Sequence, residues 1–400
     1  VKKSLIIANL LGVALALLDI SALTHFANGI STLFLNLLKF ISLPIVFFSI
    51  TSTLTSSDHI SEVSSLGLRV LKYTLITTII AASIALAFFV FVDPTNTFSS
   101  KTISPTGNFI EGYKEALSKL IPPNFVGAFV ENNVVGVAFI GILLSCAILM
   151  LPEKDKKFLH QFFFSMFQAL LSLTTMILKV LPIGIFSFVY LLVTDMSKDF
   201  SKIHDLTLYL VCIVGANLVQ GLIILPLFLK LKGLSAKTLF NRIYSALVLA
   251  FFSKSSSVAL PLNMKLMTEN LNVSKKVSSF SLPLCSVVNM NACAGFILIT
   301  TLFVCSSEGV TFSLFELLIW VFIATIAAIG NAGVPMGCYF LTGALLVGMN
   351  VPLKTLGLIL PFYTFLDMLE TAINVWSDSC ITLVIDKELK EKAVKEEVLA

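Results

Sequence analysis

Apolar runs long enough to cross a lipid bilayer as helices recur along this chain, and they exclude a water-soluble fold. The hydrocarbon core is about 30 Å thick and takes roughly 20 helical residues to span. Runs of that order lie near 4–22, 28–54, 66–92, 131–151, 158–194 and 205–231. Lipid offers no hydrogen bonds to a bare backbone, so such runs must close their own bonds, as helices rather than open sheet. Composition agrees: 57% of the 400 residues are hydrophobic and 12% charged, against about a quarter charged in soluble domains. The first run follows Lys2 and Lys3 as in a signal peptide, but it lacks a cleavage site and more spans follow at once. It reads as a first membrane helix.

Charge orients the spans. Lys154, Lys156 and Lys157 crowd one connection; Lys230, Lys232, Lys237 and Arg242 crowd another. The positive-inside rule puts both in the cytoplasm. The 19–28 connection carries Asp19 and neither Lys nor Arg, which suits the outside. The polar segment 93–130, with its Thr-Ile-Ser-Pro-Thr-Gly-Asn stretch at 102–108, reads as an outer loop. Two further spans, near 276–306 and 352–386, complete an all-α integral membrane chain of eight transmembrane helices. Both termini then face the cytoplasm, in a cell (inner) membrane. The tail from Asp386, with Lys387, Lys390, Lys392 and Lys395, reads as a solvated, fraying helix end.

Two apolar stretches in the second half are interrupted near their middles. Residues 237–268 are broken by Ser253-Lys254-Ser255-Ser256-Ser257, with Pro261 soon after. Residues 314–349 are broken by Gly330-Asn331-Ala332-Gly333-Val334-Pro335-Met336-Gly337. Irregular backbone survives at mid-depth only where protein or a polar cavity surrounds it, which a re-entrant hairpin provides. Paired interruptions of this kind point to a transporter's binding site. Two ordinary kinked spans are the plainer alternative; a lysine and four serines in the first break count against it.

The last span carries Asp367, Glu370, Asn374 and Asp378, at spacings of 3, 4 and 4. At about 100° per residue they form a stripe roughly 80° wide, with Thr371 on its flank. Acids in a membrane helix are costly unless they meet cations, protons or water, so they are functional candidates by default. If they merely paired with a lysine for stability, Lys254 would serve at most one of them. Span seven adds Asn289-Met290-Asn291, between Cys285 and Cys293 and downstream of Ser281-Leu282-Pro283. Amide oxygens, freed carbonyls and one carboxylate suit sodium, whereas calcium wants more carboxylates. Buried asparagines also bond helix to helix, so the triplet alone decides nothing. The seven cysteines occur singly, without disulfide or metal spacing, and read as small packing residues. Four scattered histidines imply no metal centre or triad, and no basic aromatic patch suggests nucleic acid.

These residues resemble the dicarboxylate/amino acid:cation symporter family, the glutamate-transporter superfamily, in its prokaryotic sodium:dicarboxylate form. The similarity runs through nearly the whole chain, from Leu-Leu-Lys-Phe-Ile-Ser-Leu-Pro-Ile-Val-Phe at 37–47 and Leu-Pro-Ile-Gly-Ile-Phe at 181–186 onward. Its specific motifs come later. Ser255-Ser256-Ser257-Val258-Ala259-Leu260-Pro261 resembles the serine-rich tip of the family's first hairpin. Ser281-Leu282-Pro283-Leu284 and Asn289-Met290-Asn291 resemble its unwound Asn-Met-Asp region, and Gly333-Val334-Pro335 the second hairpin tip. The stretch from Asp367 to Asp378 resembles its last helix, Asp-x-x-Arg-Thr-x-x-Asn-x-x-x-Asp.

The resemblance implies a homotrimeric elevator that carries sodium and a small amino acid, with no cofactor beyond the coupling ions. Its scaffold would take 1–65 and 93–204, holding spans one, two, four and five and the outer loop. Its transport domain would take 66–92 and 205–400: spans three and six, hairpin one (237–268), span seven (276–306), hairpin two (314–349), span eight (352–386) and the tail. One sodium site would use Asn289, Asn374, Asp378 and the carbonyl of Cys285; a second, Val287, Ala328, Ile329 and Asn331. Asp367 would hold the substrate's amino group, with Asn374, Ser256 and the Val334 backbone on its carboxylate. Lys254, Thr371 and Cys293 would complete the substrate pocket.

Three departures from the family pattern matter. A third sodium site would draw on Thr77, Thr78, Asn289 and Asn291, but Asn291 stands where the family has a carboxylate, which weakens it. Glu370 stands in place of the family's side-chain-selecting arginine and Cys293 in place of a threonine. A glutamate repels the carboxylate that an arginine would grip, so a neutral or cationic amino acid is expected over glutamate or aspartate. The alternative is a symporter of the same family that is proton-coupled, through protonation of Glu370, or that carries an acidic amino acid or dicarboxylate. Trp376 replaces a small polar residue and is expected to face scaffold or lipid. A channel would need a continuous polar pore, whereas the polar residues cluster in the last third. An intramembrane enzyme would need a base near the serines, and no histidine lies in these helices.

Overall fold

Caps and breaks written into the sequence decide where the helices start and stop. The computed structural model describes residues 2–17, 21–55, 60–95, 122, 124–130, 133–198, 201–329, 331 and 336–399, and among them helix is the regular structure throughout. Besides a single helical turn at Gly127–Val130, the helices are α1 (Lys2–Ala16), α2 (Ser21–Leu54), α3 (Ile60–Val92), α4 (Val134–Leu149), α5 (Glu153–Lys198), α6 (Ser201–Val219) and α7 (Leu225–Leu231). They continue as α8 (Ala236–Ser253), α9 (Ser256–Leu271), α10 (Lys275–Val288), α11 (Asn291–Ser307), α12 (Leu314–Ile329), α13 (Gly337–Gly348) and α14 (Lys354–Leu399).

The serine hydroxyls of Ser235 and Ser274 accept from the Thr238 and Val277 amides and cap α8 and α10. At α12 the Glu316 carboxylate accepts from the Ser313 amide at 2.7 Å while the Ser313 hydroxyl accepts from the Glu316 amide at 3.3 Å. This reciprocal capping box satisfies two otherwise orphaned backbone donors. Lys254, at φ 56°, ends α8 in the left-handed region that residues with a Cβ seldom occupy. Beyond it α9 packs back along α8, so the first interruption reverses the chain. The second interruption separates α12 and α13, of 16 and 12 residues, each short of the roughly 20 a span requires.

Four helical stretches are long and apolar enough to cross a membrane: Leu66–Val92, Ile203–Leu231, Lys275–Ser307 and Lys354–Lys392. The bent pair Glu153–Thr174 and Lys179–Thr194 makes a fifth when taken as one span. The remaining apolar helices, Ile7–Ala16 and Gly136–Leu149 among them, are shorter, so length and apolarity alone do not reach the expected eight among the described residues. Large apolar side chains such as Phe91, Leu68, Leu222 and Leu231 point outward, as lipid contact favours.

Helices α1 and α2 pack on α5, and α4 packs on α2. A second group forms around α11, which is hydrophobic on every side and buried almost end to end. Its neighbours are α3, α6, α12, α13 and α14, while the α8–α9 pair lies along α14. The groups meet where α13 touches α2 and α14 touches α5.

Two expectations change. The charged tail does not fray at residue 386: α14 continues to Leu399. Asp386 accepts from the Ser274 amide and pairs with Lys390 at 2.7 Å, and Lys390 donates to the Asn272 carbonyl, so the first turn of the tail is docked. Trp376 does not face scaffold or lipid; it is buried. Between α6 and α7 the chain makes a π turn, Gln220–Ile224, followed by Pro226. Proline has no amide hydrogen to give the Gly221 carbonyl, and the Trp376 indole donates to that carbonyl instead, at 3.1 Å. The loop at 102–108, Asp19 and Val334 lie outside the described residues.

Candidate functional site

Span seven is two helices. The chain leaves α10 at Val288 and re-enters helix as α11 at Asn291, leaving helix ends in the molecular interior. Buried helix ends need partners from elsewhere, and α14 supplies one: the Asn374 side-chain oxygen accepts from the Ala292 amide at 2.9 Å. The Asn289 amide closes on the Cys285 carbonyl at 2.8 Å.

The stripe on α14 is buried along its whole length, with Asp367, Glu370, Asn374 and Asp378 each no more than 5% exposed. Asp378 accepts from the Asn289 side-chain amide at 2.8 Å. No cationic side chain pairs with it among the described residues. A buried carboxylate held only by an amide lacks the charge that would offset its desolvation. Asn289 also donates to the Ser377 hydroxyl and accepts a long bond, 3.4 Å, from Thr77. The Asn291 side chain accepts from Thr78 at 2.7 Å and donates to Ser377. Both amides are therefore knotted to α3 and α14, with Ser377 shared between them.

One turn away the polar groups differ. The Asn374 amide donates to the Cys293 sulfur at 3.2 Å and the Met290 sulfur at 3.5 Å. Asn331 donates to the sulfurs of Cys293, at 3.1 Å, and Cys338, at 3.3 Å, while its backbone amide closes on the Ala328 carbonyl. Its side-chain oxygen is buried without a partner. Glu370 lies beside Cys338 and Tyr363, yet both its carboxylate oxygens and the Tyr363 hydroxyl lack a hydrogen bond. Asp367 accepts from the Met336 amide at 3.4 Å, at the start of α13, and Lys254 is the cation acting on it. The Thr371 hydroxyl is spent on the Asp367 carbonyl, at 2.7 Å. Ser256 is buried in the first turn of α9.

The structure thus brings Asn289, Asp378 and the Cys285 carbonyl to one place, and Asn331, Cys293 and Asn374 to another. Asn374 turns its amide nitrogen to the sulfurs rather than to Asp378. Thr77 and Thr78 meet the two asparagines of the α10–α11 break. Val287 lies partly buried near the end of α10 and Ile329 ends α12, beside Ala328.

Sequence reasoning missed three residues. Tyr363 is four before Asp367 and so falls on the same stripe. Ser377 sits at its edge. Cys338 had no such signal, because only the approach of α13 to α11 puts it beside Cys293.

Comparison with known proteins follows the same lines. The model of a family described as the sodium:dicarboxylate symporter family matches residues 2–388. The neutral amino acid transporter B(0) of Rattus norvegicus is 27% identical, covering 87% of this chain and 71% of that protein. The proton/sodium-glutamate symport protein of Geobacillus stearothermophilus is 23% identical, covering 90% and 87%. The proton/glutamate-aspartate symporter of Escherichia coli is 24% identical, covering 89% and 83%.

Proposed function

The chain belongs to the sodium:dicarboxylate symporter family, and from that membership we propose that it couples sodium entry to uptake of an amino acid with a neutral or cationic side chain. The relatives' names span neutral amino acids and glutamate, so membership leaves the side chain open. Glu370 carries the preference: a buried carboxylate without a hydrogen bond repels an acidic side chain and attracts an ammonium or a neutral donor.

Asp367 is the natural partner of the substrate's amino group, since its carboxylate otherwise has one long amide bond and a lysine nearby. Asp378 with Asn289 and the Cys285 carbonyl suits one sodium. Val287, Ala328, Ile329 and Asn331 line the second. At Thr78, Asn291 and Ser377 the amide already has both a donor and an acceptor, which argues against a third ion there. In a homotrimeric elevator, the group around α11 would be the moving part and α1, α2, α4 and α5 the scaffold.

Uptake into proteoliposomes under an inward sodium gradient, across all amino acids, tests this reading. Saturable, sodium-dependent uptake of a neutral or cationic amino acid, with weak competition by glutamate and aspartate, is expected. Preference for acidic substrates, or uptake indifferent to sodium, overturns it.

A further inference from the structure

Where α11, α13 and α14 pack together, two thiols stand beside Glu370 that recognition of an amino-acid side chain does not require. A carboxylate oxygen of Glu370 and the sulfurs of Cys293 and Cys338 all lie within 4.8 Å of one another. All three residues are almost wholly buried, and no disulfide joins the cysteines. A tetrahedral zinc ion sets sulfur and oxygen ligands about 3.5–3.8 Å apart, so the triangle needs only a small contraction. Asn331 already donates to both sulfurs, the support that an outer amide gives to metal-bound thiolates. The carboxylate has no bond to give up on binding. An ammonium would gain from Glu370 alone, whereas a thiophilic divalent ion gains from all three groups.

We propose that Cys293, Cys338 and Glu370 form a buried site for one divalent cation of the zinc class, whose occupancy excludes the substrate's side chain. Binding exchanges two sulfur–hydrogen bonds for two metal–sulfur bonds and releases both protons to solvent. Three protein ligands leave a fourth position open. The bound ion ties α11, α13 and α14 together and so raises thermal stability. Only the exclusion clause rests on Glu370 holding the substrate's side chain.

The reduced, purified protein titrated with cadmium, a spectroscopically visible zinc surrogate, tests the site through its thiolate-to-metal absorption. One cadmium per chain is expected, with the absorption of two thiolates, displaced by zinc and accompanied by a rise in Tm. Cys293→Ser and Cys338→Ser should each halve the band, and the double variant should lose it, with affinity down about a hundredfold or more. Glu370→Gln should keep the band and weaken binding by about tenfold. Replacing the exposed Cys146 by serine should change nothing. A band that survives in the double variant, or no band in the folded parent, overturns the site. Should the double variant not fold, single variants that keep the full band overturn it equally. Zinc that binds without competing against the transported amino acid removes the exclusion clause. Absence of sodium-dependent uptake removes the transport reading and leaves the cadmium result standing.

Discussion

Asp378 and Glu370 sit about two turns apart on α14, and they lack compensation in different ways. Asp378 has one amide partner, whereas Glu370 has none. Asp378→Asn should leave the sodium-free protein as stable or more so, because a buried charge disappears. Sodium affinity should fall by about tenfold or more, the worth of one charge-assisted contact. A sodium titration followed by thermal shift measures both, and unchanged sodium dependence would count against the assignment. Glu370→Arg should move competition in the uptake assay towards glutamate and aspartate, since a guanidinium grips a carboxylate in two bonds; an unaltered ranking refutes the specificity argument. Asn291→Asp should introduce an uncompensated carboxylate between Thr78 and Ser377, costing about 3–5 kcal/mol. Its Tm should drop without sodium and recover with it; recovery by potassium equally would show that no selective ion site had formed.

Elements here are held by bonds that cross from one helix to another at their breaks. The π turn before α7 leaves the Gly221 carbonyl without its amide because Pro226 follows, and Trp376 closes the gap. Trp376→Phe keeps the apolar bulk and strands that buried carbonyl, a loss of about 1–3 kcal/mol. Chemical denaturation in detergent should register it with sodium affinity nearly unchanged, since the indole points away from Asp378's partner. Near the chain's charged end, Glu388 accepts from Arg69 at 2.9 Å, from Lys232 at 2.8 Å and from the Tyr73 hydroxyl, joining α3, α14 and the residue that ends α7. The Glu388 carboxylate holds the Lys232 ammonium above the usual lysine range. That linkage holds while Glu388 is ionised and Lys232 is protonated; it is lost as pH climbs past the raised lysine value, and again in acid once the carboxylate takes a proton.

At the scale of the whole molecule, one point where the two helix groups meet is a glycine. A Cβ on Gly357 of α14 would stand 2.3 Å from the Phe188 ring of α5, and that ring is itself buried. Gly357→Val should therefore push α14 off α5 in this conformation. If α14 travels with the substrate while α5 stays, uptake should fall by about tenfold or more, the cost of an overpacked core contact, with sodium and amino-acid binding retained. Equal losses of binding and uptake would mean that the substitution disrupts the fold rather than the movement.

What the sequence determined alone is governed by short-range rules. Run length and backbone satisfaction demanded membrane helices, and the broken stretches marked both interruptions. Helical spacing put Asp367, Glu370, Asn374 and Asp378 on one face before any neighbour was known. The tertiary structure decided who meets that face, because partners on other helices have no fixed spacing in the chain. It set Asn289 against Asp378, left Glu370 bare, and brought the Cys338 thiol to Cys293 across the second interruption. It also turned Trp376 inward, for a carbonyl orphaned 155 residues earlier by a proline.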